Sequence, residues 1–202
     1  IAAGKGGNQT GNYFWPHMFV IPTSGNGLED IDPNVPVSSS GSFAPDGIII
    51  QKYIVIHEKY AWSQDGIEIG NIHPIGTICH ELGHVLGLPD LYDTSGNGAA
   101  GIGLWGLMGS GNYQRQTSPA YMSAWSRYRL GFIYPTIIGN TMNGEDIIFP
   151  AEIGEFEYTA MILPMDNYMP QEYLIIENRQ KLGSDQYLKE SGLLVWHIDE
   201  TI

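Results

Sequence analysis

The chain has 202 residues, enough for one well-buried domain or for one domain with a smaller appendage. Lys and Arg total 9 against 22 Asp and Glu, and the resulting net charge of −13 repels a phosphate backbone, which excludes nucleic acid as an ordinary partner. No run is apolar for long enough to span a bilayer, and a single cysteine, Cys79, excludes an intrachain disulfide, so the fold must be held by packing, with metals as a candidate further support. The first residues carry neither the basic start nor the apolar core of a signal peptide. The chain also starts without Met, in what reads as the end of a strand, and stops just after another strand-like run, so we expect an N-terminally truncated piece of a longer polypeptide, with any export signal or pro-segment outside it.

In chain order, Phe14 to Ile21 and Gly47 to Glu58 are rich in Ile, Val and aromatic residues and read as strands. The Ser, Gly, Asp and Pro stretch from Thr23 to Pro45 between them reads as a long functional loop. A helix is predicted from around Pro74 to Gly76 through ICHELGHVL, closed by Gly87 in a left-handed conformation. On that helix Ile75, Ile78, Leu82, Val85 and Leu86 read as the core face, and Cys79 as a small buried hydrophobe. Leu88 to Tyr113 is glycine-rich and reads as irregular. A second helix is predicted with Ser118 as N-cap, Pro119 at its first position and Gly131 at its end.

After Pro135 the composition changes, and Asp146 to Phe149, Glu157 to Leu163, Glu172 to Glu177 and Gly192 to Ile198 read as strands. The elements define an α+β chain, with one domain over 1–134 and a β-rich segment, or the start of a second domain, over 135–202.

The segment His80-Glu81-Leu82-Gly83-His84 carries the chemistry. A helix advances about 100° per residue, so histidines four apart project from nearly the same side and can both reach one ion. Glu81 stands beside that face without sharing the ion easily, and its expected role is general base toward a metal-bound water that attacks a peptide carbonyl. Two imidazoles are too few for a catalytic zinc, which keeps three protein ligands and one open position. The chain can turn at Gly87 and return the carboxylate of Asp90 to the ion; Asp93, on the same loop, is the alternative third ligand. His17, His57, His73 and His197 share no helix turn with the motif and read as ordinary core or surface histidines. The acidic clusters Glu29-Asp30-Ile31-Asp32 and Asp90 to Asp93, and the pair Asp199 and Glu200, suit hard cations such as Ca2+.

HELGHVLGLPDLYD resembles the extended zinc motif of metzincin-type peptidases in the variant ending in Asp, and its nearest likeness is the immune inhibitor A family of secreted bacterial zinc metallopeptidases. Trp15-Pro16-His17, GLWGLMGSG from Gly103, PAYMSAWSRYRLGF from Pro119, YLIIENRQ and GLLVWHIDE extend the likeness over most of the chain. The resemblance implies a metzincin-like core, a twisted sheet with an active-site helix and a second helix, and an extracellular enzyme cleaving protein or peptide substrates. It implies that Met108 lies beneath the metal in a tight turn and that Ser110 to Tyr113 shape the pocket for the substrate side chain; Tyr113 and Tyr121 are candidates to stabilise the oxyanion, against the commoner role of a packing tyrosine. It also implies a sheet-edge strand that takes the substrate as an added strand, for which Gly47 to Glu58 is the candidate. Two other functions compete with an endopeptidase: a zinc amidase acting on small or cell-wall peptides, and a non-catalytic zinc-containing adhesion module.

Overall fold

A computed structural model describes residues 2–5, 16–20, 52–59, 72–95, 98–115, 117–138, 148–151, 159–165 and 171–200. The chain divides into two compact units, Ile1–Gly87 and Leu88–Ile202. Both contain sheet and helix, so the expected mixture of α and β structure is present.

In the first unit β1 (Ala2–Lys5) pairs in parallel with β4 (His57–Lys59), and β2 (His17–Val20) pairs antiparallel with β3 (Lys52–Val55). Strands β2 and β3 fall inside the two stretches rich in β-branched and aromatic residues, and β4 starts in the second and ends one residue past it, with Ile56 between β3 and β4; 14–15, 21 and 47–51, like 23–45, lie outside the described residues. Helix α1 (Ile75–Val85) packs against β2 and β3. Its approach is set by β4: the His73 amide donates to the Glu58 carbonyl at 3.0 Å, and Lys59 bridges Ile72. At the other end Gly87 adopts φ +101°, the left-handed closure expected of it, and its amide donates to the His84 carbonyl at 2.9 Å. Lys52 Nζ donates to the Val85 carbonyl at 2.9 Å, placing a cation where the helix leaves its last carbonyls without partners.

The face that α1 buries differs from the expectation. Gly76, Thr77, His80, Glu81 and Gly83 are buried, whereas Ile75, Leu82 and Leu86 are about half exposed. The glycines and threonine are small enough to let neighbouring chain close over this face, so packing covers His80 and Glu81 and leaves Ile75, Leu82 and Leu86 half exposed. Cys79 is only partly buried, and its burial raises the thiol pKa.

The second unit begins with a glycine-rich loop holding two 3-10 turns, Gly103–Trp105 and Ser110–Tyr113. Helix α2 (Ala124–Arg129) follows. Its N-cap is Ser123, whose hydroxyl accepts from the Ser126 amide at 3.2 Å, and the expected start at Ser118 is therefore corrected by five residues. Ser118 is engaged elsewhere, donating through Oγ to the Ser184 carbonyl at 3.0 Å, while the Tyr121 amide donates to Asp185 Oδ1 at 2.9 Å. These long-range bonds hold residues 118–123 out of the helix. Gly131, at φ +70°, ends α2 as expected.

A four-stranded sheet completes this unit in the order β5 (Thr136–Ile137), β6 (Ala160–Pro164), β7 (Glu172–Arg179), β8 (Gly192–Asp199). β5 runs parallel to β6, and β6, β7 and β8 are antiparallel, with Ile162 opposite Ile175 and Ile175 opposite Trp196. Asp146 to Phe149 does not form the expected strand over its described part. Only Pro150 bridges β7, at Asn178, whose side chain donates to the Ile148 carbonyl at 3.0 Å. Proline cannot extend a ladder of amide donors, which limits pairing here.

The inner face of the sheet buries Ala160, Ile162, Tyr173 and Ile175 against Ala124 and Ile133, with Trp125, Tyr128, Trp196 and Ile198 packed around them. Every second residue of β7 is buried, and the series Tyr173, Ile175 continues into Glu177 and Arg179. Two charged residues thus enter the interior in the register of the apolar ones. They are matched there: Arg127 Nη2 lies 2.8 Å from Glu177 Oε2, and Arg179 Nε lies 2.5 Å from Asp185 Oδ2, with all four residues buried. The Trp196 indole donates to Glu177 Oε1 at 2.7 Å. Such pairs are tolerated away from water when most carboxylate lone pairs and guanidinium donors are taken up, as they are here apart from Arg127 Nε.

Ile175 is fully buried at the centre of this core. Ile175→Ala is expected to lower the unfolding free energy by about 2–5 kcal/mol, read as a shift of the denaturant midpoint with little change in slope.

Candidate metal centre

Helix α1 places His80 and His84 one turn apart, with ring centroids separated by 4.8 Å and planes at 86°. Nearly perpendicular rings point their nitrogens at a common region without stacking. His80 and Glu81 are buried at 5% and 6% exposure, and His84 is half-buried. Beyond Gly87 the chain continues through Leu88 and Pro89 to Asp90, which is also half-buried. One donor atom each from His80, His84 and Asp90 all lie within 4.8 Å of one another, the one such group among the described residues. The three belong to a single short stretch, 80–90, so their closeness is local: a helical turn, a glycine closure and a three-residue return.

Asp93 is placed differently. Its Oδ1 accepts from the Ser95 amide at 2.8 Å and from Ser95 Oγ at 2.5 Å, and its own amide donates to the Ala99 carbonyl at 3.1 Å. This carboxylate organises the turn that follows the return. Met108 is fully buried, and its carbonyl accepts from the Leu91 amide at 2.8 Å. Ser110 is half-buried at the start of the second 3-10 turn, and Tyr113 at its end is exposed. Tyr121 is half-buried beneath the Arg127 guanidinium, 5.2 Å from the ring centre.

Two imidazoles and a carboxylate suit a borderline-soft divalent ion of the zinc type, and three protein donors leave one position for water or substrate. A helix with a second carboxylate between its imidazoles, followed by a returning aspartate, belongs to the metallopeptidase class of hydrolases. Residues 4–142 match the family model of the immune inhibitor A peptidase M6 catalytic domain, and the chain belongs to that family. The pre-pro-metalloprotease PrtV of Vibrio cholerae serotype O1 is 29% identical over 173 residues, in strain M66-2 and in strain ATCC 39315 / El Tor Inaba N16961 alike. That alignment covers 82% of this chain and 16% of the relative, so the chain spans about a sixth of the protein it matches. No solved structure gives a significant match.

The remaining histidines separate by environment. His197 is exposed on β8 and lies 2.8 Å from Glu172 Oε1, and His17 meets the Tyr53 ring edge-on at 6.4 Å. Glu200 is occupied, since its Oε1 accepts from the Tyr173 hydroxyl at 2.7 Å and from the Trp125 indole at 3.3 Å. The cluster Glu29 to Asp32 lies outside the described residues.

His57 and His73 form a buried pair that spacing did not reveal, because one lies on β4 and the other at the approach to α1. Their rings stack at 5.9 Å and 27°, at 2% and 6% exposure. Neither ring nitrogen of His57 has a hydrogen-bond partner among the described residues. Burial lowers both pKa values below the ordinary 6.5; for His57 the neighbouring His73 adds to the effect, and for His73 a bond to the Pro74 carbonyl partly opposes it. Both rings are neutral in the folded chain at neutral pH, and the unfolded chain takes up protons first as the pH falls. Their contribution is therefore complete above 6.5 and is lost as pH drops from there toward the depressed folded values. His57→Phe is expected to flatten this acid limb. The check is the denaturant midpoint of parent and variant measured from about pH 7.5 to pH 5, with the difference between them growing toward acid.

Proposed function

We propose that this chain is the catalytic core of a zinc-dependent endopeptidase that cleaves extracellular proteins. The observation that carries this reading is the convergence of donor atoms from His80, His84 and Asp90 within 4.8 Å beside the buried Glu81. Asp90 is the third ligand in this reading; it is the carboxylate that stands with His80 and His84, while Asp93, the alternative, accepts from Ser95 in the turn that follows.

When bound, zinc supplies Lewis acidity, lowering the pKa of water to about 7 and polarising a peptide carbonyl. The chain's residues do the rest. His80 and His84 would hold the ion through ring nitrogens presented one helical turn apart, His80 buried and His84 half-buried. Glu81 accepts the proton of the attacking water as the new carbon–oxygen bond forms, and delivers it to the amide nitrogen as the carbon–nitrogen bond breaks. The balance is one water added, one acid and one amine released. Met108 packs as an apolar thioether without a ligand's role, and Ser110 and Tyr113 shape the wall on which the substrate side chain rests. β3 and β4 are the candidates to receive the peptide as an added strand. The whole protein's substrates, its secretion and any pro-segment that masks the site belong to the same proposal. It is supported by the membership in the immune inhibitor A family and by the likeness to a protein named as a pre-pro-metalloprotease.

In the full-length protein, Glu81→Gln is expected to lower kcat/KM on casein by a factor of about 10²–10⁴ while zinc content stays near one ion per chain. Substitution of His84 by Ala is expected to abolish both zinc content and hydrolysis. Hydrolysis that survives a strong chelator, or an unimpaired Glu81→Gln enzyme, would contradict this mechanism.

A further inference from the structure

Asp90 has to be held by something other than α1, since the helix ends before it. Its neighbour Leu91 is fixed on both sides of its peptide: the amide donates to the Met108 carbonyl at 2.8 Å, and the carbonyl accepts from the Ile102 amide at 2.9 Å. Gly101 packs so closely that an added Cβ would lie 1.9 Å from the Leu91 carbonyl oxygen. The loop that supplies Met108 is equally tight. The Gly106 carbonyl accepts from the amides of both Gly109 and Gly111, and a Cβ on Gly109 would stand 2.6 Å from the Gly103 carbonyl oxygen. The loop therefore moves as a block, and its position depends on what anchors the block.

The anchor is Arg179 of β7, which is fully buried. Nη1 donates to the Trp105 carbonyl at 2.7 Å and to Glu177 Oε1 at 3.4 Å. Nη2 donates to Asp185 Oδ1 at 2.6 Å and to the Tyr121 carbonyl at 3.4 Å, and Nε donates to Asp185 Oδ2 at 2.5 Å. Each of its five N–H donors thus has an acceptor, and two of these are main-chain carbonyls on opposite ends of the Met108 loop. Burial disfavours the charged guanidinium, but the carboxylates of Asp185 and Glu177 outweigh it and raise the pKa, so the charge stays fixed in place. A lysine would offer three donors on a flexible stem and could not span this set.

We propose that Arg179 is a positioning residue for the metal centre: by gripping the Trp105 and Tyr121 carbonyls it fixes the Met108 loop, and through the Met108 to Leu91 bond it sets where Asp90 presents its carboxylate. This rests on the reading of Asp90 as the third ligand. It gives the β-rich segment a part in the chemistry, because the anchor comes from a strand well beyond the loop it holds.

The test uses Arg179→Lys and, as a milder lesion that keeps the guanidinium, Asp185→Asn in the full-length protein, each kept well below its melting temperature. Zinc affinity by competition with a chromophoric chelator is expected to weaken about ten-fold, the scale of losses on removing groups that orient a metal's ligands. In the metal-free proteins, amide exchange at Leu91 and Ile102 is expected to accelerate while the α1 amides keep their protection. Zinc affinity within two-fold of the parent in whichever variant stays folded overturns the proposal. So does a uniform rise in exchange across all amides, which would assign Arg179 to general stability. A parent protein that binds no zinc instead overturns the metallopeptidase reading, whereas an unchanged Leu91 exchange rate removes the tether alone.

Discussion

A cation gripped by two imidazoles on one helix needs a third donor that the same helix cannot supply. The helix rises steadily, so any further residue on that face lies a full turn away. The chain meets this constraint by stopping the helix at a glycine with positive φ and bringing a carboxylate back within three residues. A side chain at residue 87 would meet no atom within 4 Å, so the demand there is conformational and not one of space. The rest of the local architecture follows from keeping that return in register: β4 sets the approach, Lys52 steadies the last carbonyls of α1, and the glycine-rich loop receives the chain beyond Asp90.

Much of this was legible in the sequence because it is local. Histidine spacing, the helix-closing glycine and the alternating apolar residues of β7 and β8 are patterns within a few residues, and the corresponding elements stand close to where they were expected. What was not legible depends on partners far along the chain. Ser118 looks like an N-cap until the Ser184 carbonyl and Asp185 claim residues 118–121, and α2 then starts at Ala124. The leucines of α1 look like its core face until packing against small residues buries the histidine side instead. Asp90 is favoured over Asp93 by spacing, because helix end, tight turn and carboxylate form one continuous unit, and donor atoms of His80, His84 and Asp90 lie within 4.8 Å of one another while Asp93 accepts from Ser95.

The buried ions of β7 left a sequence signal that went unread. Glu177 and Arg179 continue the period of Tyr173 and Ile175, so alternation alone placed two charges in the interior. Burying charges is a poor route to stability, since apolar residues of the same shape often do as well or better. What a guanidinium supplies is direction: a planar fork admits one arrangement of acceptors, which suits a loop that has to be in one place. That difference between stability and geometry separates a buttress from a positioning device.

The indole of Trp196 donates to the same Glu177 carboxylate that balances both guanidinium groups. The bond joins a half-buried indole to a fully buried carboxylate, so this side chain links the interior charge cluster to the edge of the sheet.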